Sequence, residues 1–214
     1  MQQYLGKWTV VTVCCGLLLG SATAARSQGY FNMDIGVALA DKVKVNALNG
    51  VSTPSGVKLD LDPGVRFGVA GGYNFHPYLG IEIESGFIYN SINGVVGPGG
   101  NVGTDASLSH VPIQANLVFR YDQPDCPFVP FAGVGAGGDL SILIDSAVEE
   151  SDTQFVFAWQ GFGGVRYKLN ESMSIGAAYK YYNVQNTSFN LPSGSFNFGH
   201  ESIHSFLVDF NWKF

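Results

Sequence analysis

The feature that most constrains the fold is a strict alternation of apolar residues with polar or small ones. From Phe31 to Leu39 every odd-numbered residue is apolar, whereas the even-numbered residues are Asn, Asp, Gly or Ala. Because successive side chains of a β-strand point to opposite faces, this period of two predicts a strand with one apolar face. The same period recurs in later segments, so the sequence predicts an all-β fold.

Eight such strands are expected, and the connections between them alternate in length. The strands begin near Phe31, Arg66, Leu79, His110, Phe128, Phe155, Met173 and Ser205. The first, third, fifth and seventh connections are long, whereas the others, such as His76-Pro77, are short. Short turns then share one end of an up-and-down sheet, which is the asymmetry of outer-membrane barrels. The fifth strand, residues 128–138, is rich in glycine, so its facing stays ambiguous.

Alternation alone fits a soluble barrel as well as a membrane barrel, and the small residues decide between them. The polar faces mix charged residues with many glycines and alanines, as suits the narrow interior of an eight-stranded barrel. The opposite faces are apolar over the roughly 9 to 11 residues that a tilted strand needs to cross a bilayer. The sequence therefore predicts an eight-stranded antiparallel up-and-down transmembrane β-barrel with short periplasmic turns and four long extracellular loops. Such a sheet must close, because hydrocarbon cannot satisfy a free edge.

Charged residues on the polar faces are expected to form an ionic network in the lumen. They are Asp34, Arg66, Glu82, Glu84, Arg120, Arg166, Lys168, Lys180 and Asp209. Pairing would offset the cost of removing these charges from water. We expect the two glutamates to pair with Arg66, Arg166 or Lys180 rather than to act as an acid/base pair, because a filled lumen denies access to a substrate.

The first 24 residues are predicted to be a cleaved signal peptide. Lys7 precedes an apolar stretch over residues 8–19, and Ala22-Thr23-Ala24 matches a small-residue cleavage site. Cleavage would leave residues 25–214 as the barrel domain, with Cys126 as its only cysteine. An internal disulfide is then impossible, so stability must come from the barrel itself.

Several segments resemble the eight-stranded outer-membrane barrel family that includes opacity-type proteins and the OmpA transmembrane domain. They are residues 128–138 (FVPFAGVGAGG), 161–169 (GFGGVRYKL), 175–183 (IGAAYKYYN) and 206–214 (FLVDFNWKF). The resemblance implies an integral protein of the bacterial outer membrane, with membrane lipid as its surroundings. It also implies that Phe210, Trp212 and Phe214 form the signal read by the barrel assembly machinery. Because nothing follows Phe214, the periplasmic peptidoglycan-binding domain of OmpA is expected to be absent.

Two motifs look like catalytic or cofactor signatures but lack the structural context they need. Residues 200–204 match H-E-x-x-H, yet the motif leads into a strand, where residues four apart lie roughly 13 Å from each other, too far for one zinc ion. Gly133, Gly135 and Gly138 match G-x-G-x-x-G, yet a loop rather than a helix is expected to follow. We predict no catalytic, cofactor or metal site, and hence no enzyme.

The remaining candidates for function are the long loops. They comprise a glycine-rich loop over residues 94–103, an acidic loop over 139–152 and a loop rich in Asn, Ser and Phe over 183–198. The leading hypothesis is a structural or surface-interaction, adhesin-like role for these loops, with an unidentified ligand. The alternatives are a narrow channel for small apolar solutes and a lipid-modifying enzyme. A net charge of −6 disfavours nucleic acid as a partner.

Overall fold

A computed structural model describes residues 29–214, apart from residues 55, 99, 147 and 193. The predicted signal peptide lies outside the described residues. Among the described residues, no helix has the length and apolarity needed to cross a membrane. The part of the chain that the structure describes forms thirteen strands: β1 Gly29–Ala40, β2 Val43–Leu48, β3 Val51–Ser52, β4 Lys58–Leu61, β5 Gly64–His76, β6 Leu79–Gly97, β7 Gly100–Arg120, β8 Phe128–Asp145, β9 Glu150–Lys168, β10 Met173–Val184, β11 Ser188–Leu191, β12 Gly194–Phe198 and β13 Glu201–Lys213.

Eight of these strands pair in a closed ring. The order is β1, β5, β6, β7, β8, β9, β10 and β13, and every pair is antiparallel. The last strand pairs with the first, which joins Phe31 to Trp212 across the seam. The eight-stranded antiparallel fold expected from the alternation is confirmed. Closure gives each of these strands two partners, so their backbone groups are satisfied within the ring.

The apolar faces point outward, as the alternation predicts. On β6, Ile83 is 62% exposed whereas the next residue, Glu84, is 1% exposed. The facing of β8, which the sequence left ambiguous, is also settled: Val129 and Phe131 are buried inside, and Val134 is exposed outside. An apolar exterior around a polar interior is stable only in hydrocarbon, since exposing apolar area to water costs about 25 cal/mol per Å².

Four barrel strands extend far beyond one membrane crossing, and this corrects two loop predictions. Strands β6, β7, β8 and β9 contain 19, 21, 18 and 19 residues. Residues 94–103 and 139–152, predicted as loops, lie largely in these strands. Val95 pairs with Val102, and Leu143 pairs with Asp152. The backbone ladders therefore continue past the bilayer, as far as Gly97 opposite Gly100 and Asp145 opposite Glu150.

A second, apolar core fills the barrel at its long-loop end. Strands β2, β4, β11 and β12, which we call the cap, continue the sheet from β6 in the order β11-β12-β2-β4-β6. Residues 183–198, predicted as a loop, therefore contribute β11 and β12 to the cap. The cap packs against β6, β7 and β8 in one buried cluster: Val43, Val45, Leu59, Leu61, Ile92, Leu108, Leu143, Phe189, Leu191 and Phe198. Outside the bilayer the apolar side chains turn inward, because water now surrounds the barrel.

Candidate functional site

Glu84 is the centre of the polar network in the lumen. Its Oε1 accepts hydrogen bonds from Arg66 Nη2 at 3.0 Å and Lys180 Nζ at 2.6 Å. Its Oε2 accepts bonds from Gln160 Nε2 at 2.8 Å and Asn116 Nδ2 at 2.9 Å. These four donors lie on β5, β10, β9 and β7, so one carboxylate on β6 ties five strands of the ring together.

Two aspartates face each other across the seam, and each is neutralised by a cation from another strand. Asp34 on β1 pairs in register with Asp209 on β13. Like charges at opposite positions destabilise a sheet. Lys180 Nζ lies 2.8 Å from Asp34 Oδ2, and Arg166 forms an ion pair with Asp209. Asn32 donates a further bond to Asp209 at 2.8 Å, so the seam is held by polar side chains inside the lumen as well as by its backbone ladder.

Glu82 does not join the ion pairs that the sequence predicted for it. Its Oε2 accepts a bond from the Tyr30 hydroxyl at 3.0 Å, and its Oε1 accepts one from Asn116 at 2.9 Å. The predicted network contains charged residues only. The neutral members, Tyr30, Asn32, Asn116 and Gln160, lie on the same inward faces and could have been included on that ground.

Lys168 lies outside the network, at the short-turn end of the barrel. Its side chain is 25% exposed and forms an ion pair with Asp122 at 2.6 Å. Lys213 pairs with the same carboxylate. Although burial raises the pKa of Asp122, hydrogen bonds from these two lysines outweigh it and hold the pKa below its ordinary value of 3.8. The turn between β7 and β8 is thus tied to β9 and β13.

A second polar cluster, which sequence analysis missed, is centred on His110. Its Nδ1 lies 2.8 Å from Asp139 Oδ2, and its Nε2 lies 3.2 Å from Glu201 Oε2. The Tyr182 hydroxyl donates to Asp139 Oδ1 at 2.8 Å. All four residues are buried. The prediction placed Asp139 in an acidic surface loop, which is wrong because β8 continues to Asp145 and directs Asp139 inward.

The two motifs that resemble catalytic signatures serve the packing of the barrel. In the H-E-x-x-H segment, Glu201 faces the lumen, whereas His204 faces outward and its Nδ1 lies 2.7 Å from the Tyr179 hydroxyl. In the glycine motif, a Cβ at Gly135 would lie 1.8 Å from Asn116 Oδ1. That glycine makes room for a member of the network. Within the described part of the chain, no group of three or more His, Cys, Asp or Glu side chains could hold a metal ion.

An exposed hollow on the cap, which we call the basic hollow, collects lysines. It has a volume of about 420 Å³ and is lined by Lys42, Lys44, Asn46, Lys58, Asn186 and His200, together with Gly199. Lys42 pairs with Asp60 at 2.9 Å. Lys44 lies directly opposite Lys58 in the β2–β4 register. Neither of these two lysines has an ion-pair partner among the described residues, so their mutual repulsion is not offset there.

The three residues expected to form an assembly signal all face outward at the end of β13. Phe210, Trp212 and Phe214 are exposed on the apolar face, and Phe214 N donates to Gly29 O at 3.0 Å. The end of the chain is therefore fixed against the start of β1, with its aromatic rings directed to the surroundings of the barrel.

Known structures share this architecture. The chain resembles outer membrane protein OprG from Pseudomonas aeruginosa, with a TM-score of 0.60 and 19% identity over 88% of this chain and 97% of OprG. It resembles Neisserial surface protein A, with a TM-score of 0.57 and 13% identity over 87% of this chain and 97% of that one. The outer membrane protease OmpT from Escherichia coli gives a TM-score of 0.51 and 9% identity over 91% of this chain and 99% of OmpT. At such identities the likeness extends to the fold alone.

The sequence itself gives the family. No curated protein gives a sequence match. Residues 11–214 match the family described as outer membrane protein beta-barrel domain, which is nearly the whole chain. The strand ring, its apolar exterior and its polar lumen agree with this match. The chain therefore belongs to the outer membrane protein beta-barrel family and is an integral protein of the outer membrane.

Proposed function

We propose that this barrel is a surface-interaction protein whose extracellular cap binds a polyanionic ligand bearing sulfate or phosphate groups. The observation that carries the proposal is the pair of lysines, Lys44 and Lys58, held opposite each other in the basic hollow. Such a pair disfavours folding by a few tenths of a kcal/mol up to about 1 kcal/mol. An arrangement that costs stability suits a ligand whose charge removes the repulsion.

The cap is built to present that surface rigidly. Val43, Val45 and Leu59 alternate with the lysines along β2 and β4 and are buried in the apolar cluster beneath them. The lysine backbones are therefore fixed by packing, whereas their side chains reach water. A binding surface whose backbone is already ordered loses less conformational entropy when a ligand binds.

Binding of dextran sulfate to the purified barrel in nanodiscs tests this proposal. The double variant Lys44→Gln with Lys58→Gln is expected to weaken binding at least about tenfold, because two charge-assisted contacts are lost. The matched double variant with arginine at both positions should retain binding. Heat-modifiable gel migration checks that each variant is folded. Equal binding by the glutamine and wild-type proteins would reject the basic hollow as the site.

We further propose that the barrel does not conduct solutes. Supporting this, the lumen is occupied by buried side chains around Glu84 and around His110, and the apolar cluster of the cap lies beyond them. Single-channel recordings in planar bilayers should give no conductance. Steady conductance steps from the folded protein would favour the narrow-channel alternative.

A non-enzymatic role is also part of the proposal. A lipid-modifying site would need a histidine with a serine or acidic partner at the lipid-facing rim. The outward-facing His204 has its Nδ1 at 2.7 Å from the Tyr179 hydroxyl, and Asp41 Oδ2 lies 3.7 Å from its Nε2, too far for the hydrogen bond that would orient a catalytic imidazole. Mass spectrometry of lipid A from cells that express the protein should show no modification, and a mass change dependent on His204 would contradict this.

A further inference from the structure

A pocket at the periplasmic end of the lumen, on the opposite side of the membrane from the basic hollow, is enriched in cations. Its volume is about 360 Å³, and the turn regions between β7 and β8 and between β9 and β10 contribute to its wall. Four basic residues line it, namely Arg120, Arg166, Lys168 and Lys213, against two acidic ones, Asp122 and Glu171. The described residues of the lining therefore carry a formal charge of +2, of which the charge of Arg166 is paired with Asp209.

Arg120 is unusual among the cations inside the barrel. Its side chain is on the inward face of β7 and the residue is 3% exposed. None of its three guanidinium nitrogens has a hydrogen-bond partner among the described residues. By contrast, Arg66, Arg166 and Lys180 each have a carboxylate partner. A buried, unpaired guanidinium is costly, because the group loses its hydration without gaining a partner.

The acidic groups near Arg120 are already engaged elsewhere. Asp122 is paired with Lys168 and Lys213. Glu82 accepts bonds from Tyr30 and Asn116. Arg120 instead stacks on the Tyr30 ring, with its Cζ 4.2 Å from the ring centroid. That stacking fixes the plane of the guanidinium, and because the Tyr30 hydroxyl donates to Glu82, the guanidinium has no carboxylate partner of its own among the described residues that line the pocket.

We infer that this periplasmic pocket binds a phosphate group, with Arg120 as the principal ligand-binding residue. The guanidinium fork matches two oxygens of a phosphate. A phosphate monoester carries a charge of about −1.5 to −2 near neutral pH and a phosphodiester about −1, and Arg120 offers either of them a cation that has no ion-pair partner among the described residues. The group could belong to a soluble phosphorylated compound or to the headgroup of a lipid in the inner leaflet. The recognition chemistry is the same in both cases.

The test uses the full barrel, folded in a maltoside detergent that contains no phosphate. Inorganic phosphate is titrated while thermal unfolding is followed, for the wild type and for Arg120→Gln. We expect phosphate to raise the unfolding temperature of the wild type in a saturable way and to bind the variant at least about tenfold more weakly. The titration is repeated in a Lys44→Gln, Lys58→Gln background, so that phosphate bound in the basic hollow does not contribute, and the effect of Arg120→Gln should be the same there.

A second measurement distinguishes the two sources of phosphate and allows for a variant that folds poorly. Phosphatidylglycerol is added to the same micelles, and lipid retained by the barrel is counted by native mass spectrometry. Retention of the lipid that depends on Arg120, without an effect of inorganic phosphate, assigns the pocket to a lipid headgroup. An effect of inorganic phosphate that depends on Arg120 assigns it to a soluble compound. If Arg120→Gln does not fold, Arg120→Lys is measured instead and should bind phosphate more weakly than arginine does. Responses that are absent, or identical in folded wild type and variant, would overturn the inference.

Discussion

Replacing Glu84 by glutamine tests how much the lumen network stabilises the barrel. The wild-type carboxylate accepts four hydrogen bonds, two of them from the cations Arg66 and Lys180. A glutamine has the same shape but no charge, and it has one acceptor oxygen in place of two. Its amide N–H₂ would point at donors, either the two cations or the amides of Gln160 and Asn116. The substitution therefore leaves buried donors unsatisfied whichever way the amide turns.

The expected loss of stability depends on the hydrogen-bond and ion-pair partners that each cation retains after the substitution. Removing one partner of a buried ion pair costs about 3–5 kcal/mol. Lys180 retains Asp34 at 2.8 Å, and Arg66 retains the Gln160 amide oxygen at 3.1 Å. Because neither cation is stripped of all its partners, we place Glu84→Gln near the lower end, at about 3 kcal/mol.

Urea unfolding of the barrel refolded into lipid vesicles measures this difference. The folded fraction is read from heat-modifiable gel migration and from tryptophan fluorescence, and the free energy of unfolding is obtained by linear extrapolation. Glu171→Gln, at an exposed position in the turn after β9, is the matched control and should change stability by less than about 0.5 kcal/mol. A Glu84→Gln variant as stable as that control would refute the reasoning, since it would mean that the lumen charges are screened by water.

Three further outcomes are expected. The lowered pKa of Asp122 adds stability that is fully present above pH 3.8 and is lost as the pH falls through the folded-state pKa. The difference in unfolding free energy between the wild type and Asp122→Asn should therefore shrink over that acid range. Phe189→Ala removes a fully buried ring from the cap cluster, which typically costs about 3–5 kcal/mol of stability. It should make residues 183–198 sensitive to protease, while the gel migration of the barrel stays unchanged. Phe214→Ala should lower the amount of protein in outer-membrane fractions but not refolding in detergent, because this side chain is 58% exposed and its proposed partner is the assembly machinery.

The barrel could be predicted from the sequence because every second residue of each membrane-spanning strand faces lipid and must therefore be apolar. Phe31 to Leu39 and Phe206 to Phe214 keep one apolar face without interruption, and each segment alone is long enough to show it. The partners within the lumen could not be predicted in the same way. Glu84 and Lys180 are 96 residues apart in sequence, and their contact depends on the stagger of eight strands, which no local pattern contains.

The cap escaped prediction because its strands are short and their partners are distant. β2 has six residues and β4 and β11 have four each, so the alternation in each is too brief to separate from a loop. The contact of Phe198 with Val45 joins the last long connection to the first. Only the closed ring brings those two connections to the same side of the barrel mouth.

The boundary of the bilayer explains why the acidic segment after Gly138 was misread. Along the inward face of β6 the side chains change from Glu84 through Ile88 and Asn90 to Ile92, while the outward face changes from Ile83 and Tyr89 to Ser91. The apolar side chains of one strand thus face outward in one half and inward in the other, because hydrocarbon surrounds the first half and water the second. A prediction that expects the apolar residues to stay on the outward face along the whole strand therefore ends the strand where the apolar residues change faces. On β6 the lumen therefore passes to the apolar core between Ile88, which is opposite His110 of the second polar cluster, and Ile92, which belongs to the cap cluster.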